Sequence, residues 1–337
     1  MLIKRNFNLY SLAKFTGFHI VWLTLYSTFA VFLYDKLGLT ILGIPWLPIS
    51  LIGTAVAFYV GFKNNASYER MWEARKIWGS IVNDSRSFAI ACKNLIGPFN
   101  ERDEVIQKLL YRHIGWLYSL RGQLLKPTPW EHINANIFIR TMVARRIKDY
   151  GTGLYDIETH EEMLKRLLDD KEYEDIHQVS NMATHILDWQ AKTLNELNEE
   201  GKLNDFRHMN MQKLLYAFYD HQGKSERIKN YPFPRQYASM GLYFVTIFIL
   251  LLPFGLIPEF SGLVSHSVWW SIPFSVLVSW VFLMMELIGD YSENPFEGMA
   301  NDVPMLSIIR NIEIDLREML GEKNIPPKIS MKKNILM

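Results

Sequence analysis

The sequence predicts an all-α membrane protein, with four transmembrane helices and a large helical cytoplasmic region. Three observations carry this. Four stretches hold no charged residue and are long enough to span a bilayer, for which about 20 apolar residues suffice: Phe15–Tyr34, Leu37–Phe62, Gln236–Pro258 and Phe260–Met285. Residues 63–235, between the second and third stretches, are rich in Lys, Arg, Asp and Glu and read as helical. Finally, the segment ISLIGTAVAFYVGFKNNASYERMWEARKIWG, Ile49 to Gly79, passes from an uncharged helix into a charged one without a helix breaker.

The first stretch follows a short basic segment, has no small-residue cleavage site behind it and ends at Asp35-Lys36, so it is expected to be retained rather than cleaved as a signal peptide. Pro45 and Pro48 interrupt the front of the second. Residues 37–48 are therefore expected to form an outer loop or a re-entrant segment, with a helix starting near Ile49. No proline follows until Pro98, so that helix is expected to continue to about Phe88, roughly 60 Å at 1.5 Å per residue. Ile106, Leu109, Leu110, Ile114, Leu117, Leu120 and Leu124 recur at helical period, and Pro127 and Pro129 end that run. Val179, Met182, Ile186 and Trp189 mark a further helix closing at Gly201. Tyr231-Pro-Phe-Pro234 reads as an extended link into the third stretch, since proline disfavours helix before itself. Asp302 and Pro304 open a last helix, Met305 to Leu320, ended by Gly321, and a basic tail from Pro326 is expected to be loose. There is no internal repeat and no strand-rich segment. The resulting division is 1–62, 63–234, 235–288 and 289–337.

Orientation follows from basic residues in the short loops. Lys4, Arg5 and Lys14 precede the first span, Lys63, Arg70, Arg75 and Lys76 follow the second, and Lys224, Arg227, Lys229 and Arg235 precede the third. The first outer hairpin carries only Lys36 among basic residues, and the second none. Both termini and the middle region are thus placed in the cytoplasm. The 337 residues are 49% hydrophobic, with mean hydropathy near zero and net charge +1, which argues against a nucleic-acid partner. A single cysteine, Cys92, forbids an intrachain disulfide.

Two helical faces stand out in the second span. Gly53, Ala57 and Gly61 recur every fourth residue, a pattern that lets helix backbones approach closely in lipid. About 100° round the helix, Thr54, Phe58 and Phe62 recur at the same spacing and end against Lys63-Asn64-Asn65. Such a ladder suits the stacked apolar constriction of a pore, although lipid or core packing is the commoner use of aromatics at this spacing. Glu286, Asp290 and Glu293 follow the fourth span, either as functional carboxylates or as partners for the basic residues after span two. Enzyme signals are thin. Glu174-x-x-His177 has the spacing of a carboxylate metal site, but its nearest second copy, Asp205-x-x-His208, carries the wrong acid. There is no His-Glu-x-x-His, no phosphate-binding glycine loop and no Gly-x-Ser-x-Gly. His19 and His266 are expected to be packed or interfacial, and His113 to be a satisfied core histidine. No enzyme, cofactor or metal site is expected.

Two blocks, GFKNNASYERMWEARKIWGSIVNDSRS from Gly61 and ENPFEGMANDVPMLSIIRNIEIDLREMLGE from Glu293, resemble the bestrophin family, especially its bacterial members. Weaker agreement continues through Gly201-Lys-Leu-Asn-Asp-Phe206 and the Pro-x-Pro link. The resemblance implies a homopentameric ion channel in the bacterial inner membrane, with one central pore. Its neck positions fall on Thr54, Phe58 and Phe62, and its cytoplasmic aperture on Phe206. Lys63 and Asp205 are the pore-charge candidates. Thr54 stands where the family usually has a larger aliphatic. Animal members clasp calcium with an acidic run, for which Glu297-Gly-Met-Ala-Asn-Asp302 has too few carboxylates, so calcium-independent gating is expected. Passive monovalent conduction is the reading, with cations such as sodium slightly favoured by the bacterial pattern. A chloride channel of the same architecture is the alternative. A non-conducting membrane scaffold or sensor is a rival from another class, as is a secondary transporter, which would need paired broken helices.

Overall fold

A computed structural model describes residues 1, 3, 9–131, 160–262, 267–331 and 335–336. The described residues form α1 (Leu9–Asp35), α2 (Trp46–Leu95), α3 (Arg102–Leu124), α4 (His160–Leu167), α5 (Asp170–Ile176), α6 (Met182–Glu199), α7 (Asp205–Asn230), α8 (Arg235–Ser261), α9 (Ser271–Asp290) and α10 (Met305–Met319), with short 3₁₀ turns at Thr40–Leu42 and Ser267–Trp270. The chain divides into two compact units. One comprises Lys4–Arg70 and Phe233–Glu293; the other comprises Met1–Ile3, Met71–Pro232 and Asn294–Met337. Helix α2 runs through both.

The apolar unit holds four segments long and apolar enough to cross a membrane, Phe15–Asp35, Thr40–Leu95, Arg235–Ser261 and Val268–Asp290. Its core is built from Leu23, Ile49, Val56, Val60, Val245, Phe248, Leu252 and Leu283. Phe18, Val21, Leu25 and Phe29 of α1 remain exposed, as expected of a face turned to lipid. Small polar residues let the helices approach one another: Ser271, Ser275 and Ser279 of α9 are buried at four-residue spacing, and Thr16 and Ser27 of α1 are buried too. The outer hairpins are tied by Ile44 N–H donating to Phe254 O (3.0 Å) and by Trp269 Nε1–H donating to Asp35 Oδ2 (3.1 Å).

Several boundaries differ from expectation. Helix α2 begins at Trp46, with Pro48 tolerated in the first turn, where its missing N–H is an orphan anyway. It continues to Leu95, 50 residues or about 75 Å. The fourth uncharged stretch opens inside α8, which includes Phe260 and Ser261, so α9 starts only at Ser271. Without a charge at the turn, composition alone does not register the helix end. His266 lies outside the described residues, as do the side chains of Lys4, Arg5 and Lys14.

The polar unit is organised round α3. All seven apolar residues of its stripe are buried, and so are Trp116, Tyr118, Arg112 and His113. A helix buried all round sits at a core centre rather than on a surface. Asn181 caps α6, accepting from Thr184 N–H (2.9 Å), and so the helix starts at Met182 rather than at Val179. Gly201 and Gly321, at φ +71° and +79°, stand just beyond α6 and α10, as left-handed terminators do. The tail from Pro326 is not loose where described. Pro327 O accepts from Arg310 Nη1 (3.2 Å), and Ile329 and Ile335 are buried.

Candidate pore-lining site

Along residues 46–70 of α2, the part in the apolar unit, the buried positions are Ile49, Gly53, Val56, Val60, Lys63 and Ser67. Their alternating spacing of four and three keeps them on one stripe of the helix. Gly53 is required there, since a Cβ at this position would stand 2.7 Å from the Phe248 ring. Gly61 is exposed, with nothing within 4 Å of where its Cβ would lie, and Ala57 is half-buried. The stripe Gly53, Ala57, Gly61 is therefore not one packing face within the subunit; only its first member has that role.

Thr54, Phe58 and Phe62 lie on the side the subunit leaves open. Phe58 and Phe62 are 70% and 59% exposed, and their rings meet edge-to-face, 4.5 Å between centroids with planes at 90°. The Thr54 hydroxyl donates to Ser50 O (2.9 Å), so its proton is used by its own helix and is not offered outward.

Lys63 turns away from that open side. It is 2% exposed, and its ammonium pairs with Glu286 of α9, also 2% exposed. Arg70 Nε–H donates to Glu293 O (2.9 Å), and Arg235 Nη1 lies 3.4 Å from Glu293 Oε1. Glu286 takes the pairing role with a basic residue after span two, whereas the Glu293 carboxylate meets Arg235, which precedes span three. Glu286 Oε2 makes no hydrogen bond although it is buried.

In the polar unit Phe206 occupies the first turn of α7 and is 84% exposed. Asn204 caps that helix, accepting from Arg207 N–H (3.0 Å). Asp205 Oδ1 accepts from Asn198 Nδ2 (3.0 Å), and the positive end of the helix dipole offsets its charge.

In the second family-like block, Asp302 is buried and its carboxylate accepts backbone N–H groups from Phe296 (3.0 Å), Gly298 (2.9 Å) and Val303 (2.7 Å). These contacts hold Phe296 in a left-handed conformation (φ +72°) that a bulky residue rarely adopts. Burial raises the Asp302 carboxyl above its ordinary value, and the three amides pull the other way. Among the described residues no group of three His, Cys, Asp or Glu is placed to hold a metal ion. His177 ends α5 as its C-cap and His208 lies on α7. His113 is fully buried against Phe88, Trp116 and Phe218. Ser85 Oγ gives its proton to Ile81 O (2.6 Å), so His113 Nε2–H donates to Ser85 Oγ (2.8 Å). Burial lowers the His113 pKa to about 3.

Two features escaped the sequence. The serine stripe of α9 was visible as spacing but hidden in an apolar run. Glu313 is fully buried and accepts from Tyr118 OH (2.8 Å) beside Arg310, Arg166 and Arg317 (3.1–3.3 Å), and nothing local to α10 signals this.

The family model for "Bacterial/Fungal Bestrophin protein" matches residues 16–318. A Ralstonia nicotianae protein named voltage-dependent anion channel-forming protein RSc3414 is 27% identical over 294 residues, 86% of this chain and 82% of that one. The similarly named Escherichia coli K12 protein YneE is 27% identical over 282 residues, covering 84% and 79%. The crystal structure of a bacterial bestrophin homologue from Klebsiella pneumoniae superposes with a TM-score of 0.73 at 26% identity, over 91% of this chain and 99% of that one. With four membrane-length helices, both motif blocks and this match along most of its length, the chain belongs to the bacterial and fungal bestrophin family.

Proposed function

We propose that this protein is a bestrophin-type channel passing monovalent anions down their gradient through an apolar neck formed by Thr54, Phe58 and Phe62. The observation that carries the neck is the open side of α2. Two large aromatic side chains, one turn apart and edge-to-face, are left uncovered on a helix whose other side is packed. Repeated round an axis by a homopentamer, they would make rings that empty of water when narrow. Phe206 would form a second ring at the cytoplasmic exit, both termini lying on that side of a bacterial inner membrane.

Cation preference gives way to its alternative. The relatives are named anion channel-forming proteins. Lys63 and Glu286 neutralise each other away from the open side, and a helix N-terminus offsets Asp205. What remains at the neck is aromatic, and aromatic rings offer an anion their electropositive edges. The reversal potential of purified protein in a planar bilayer under asymmetric NaCl tests this. A shift toward the chloride potential is expected, and a shift toward the sodium potential would overturn anion selectivity.

A further inference from the structure

Lys63 follows Phe62 directly, about 100° further round α2. Its ammonium meets Glu286 Oε1 of α9, and Glu286 Oε2 lies against α8 at Gly241, where a Cβ would stand 2.8 Å away. Only a glycine leaves that carboxylate room between three helices. The next residue repeats the device: the Asn64 side chain fits against Gly289 of α9, where a Cβ would collide with its Oδ1. Of the two successive residues after the neck, Asn64 is thus keyed against a glycine and Lys63 is paired with a carboxylate that is itself seated against one, so the second contact carries a buried charge. Rotating α2 by one residue would bring Phe62 onto Glu286 and leave two unpaired charges in apolar surroundings. That costs far more than the formed pair contributes. Packed interfaces of this kind switch between discrete arrangements rather than drift.

We propose that the Lys63–Glu286 pair is the rotational lock of the neck, a pair of positioning residues that holds Phe58 and Phe62 on the open side of α2. The proposal rests on the neck reading above. The test uses the full chain in lipid vesicles, in a C92A background, with F58C, F62C or V60C modified by 2-sulfonatoethyl methanethiosulfonate. With the pair intact, F58C and F62C are expected to react at least tenfold faster than V60C. E286Q is expected to reduce that ratio below threefold, and the exchange K63E/E286K to restore it. If E286Q fails to assemble, K63M/E286L leaves no charge buried and is likewise expected to reduce the ratio below threefold. A ratio unchanged by E286Q or by K63M/E286L, even with a lower melting temperature, would make the pair purely structural and overturn the lock while leaving the neck. Equal rates at the three positions with the pair intact would overturn the neck reading itself.

Discussion

At residue scale the neck is a matter of which side chains narrow a water path. Replacing Phe58 and Phe62 together by alanine removes the bulk that excludes water, so basal chloride efflux from loaded vesicles is expected to rise several-fold. Unchanged efflux would count against the neck. Asp302 has a different task. Its carboxylate is already engaged by three backbone amides that fold its own loop, and it has little left to give a hard cation that needs six or more oxygens. Open probability is accordingly expected to be the same in chelator and in millimolar calcium, and single-channel recording would reveal any departure. His113 adds a pH dependence in the polar unit. Its folded pKa is about 3, against 6.5 for a free imidazole. Between those values the unfolded chain binds a proton that the native one does not. Its contribution is complete above pH 6.5 and is lost as pH falls, by about 1.4 kcal/mol per unit at most. His113→Gln keeps a donor but cannot titrate, so its apparent Tm is expected to fall less between pH 7 and 5 than that of the unaltered protein.

At the scale of elements, the glycines of α2 separate two kinds of contact. Gly53 has no room for a methyl group beside Phe248, so G53A is expected to destabilise the apolar unit by about 1–3 kcal/mol, the ordinary cost of overpacking. G61A meets nothing within the subunit. Thermal unfolding of the two variants in detergent checks the contrast: a low Tm for G53A and a near-native one for G61A. The buried serines of α9 make the same point from the other side of the interface, since close approach in lipid depends on small residues wherever they fall.

For the whole molecule, the proposed neck requires other copies of the chain round the open side of α2. Purified in detergent, the particle is expected to have a protein mass five times the 39.5 kDa subunit, measured by light scattering. A monomeric particle that still conducts would remove the basis of the ring. A surviving assembly with altered conductance in G61A would place that glycine at a contact between copies.

The number and order of the membrane helices, the polar region and the family could be read from residue order, because a bilayer demands long uncharged runs and helical period leaves a plain trace in α3; the start of α9 could not, since no charge marks the end of α8. The candidate neck was legible too, since Thr54, Phe58 and Phe62 share one face whatever surrounds them. Which face of α2 packs was not. Gly53, Ala57 and Gly61 look equivalent along the chain, and only the Phe248 ring tells the first from the last. Nor could Lys63 be assigned. A lysine beside a pore-like ladder is a natural candidate for an ion site until Glu286, 223 positions later, takes its charge. Periodicity is a property of a single helix and survives in sequence; pairing and close approach belong to two helices at once, and only the tertiary structure decides them.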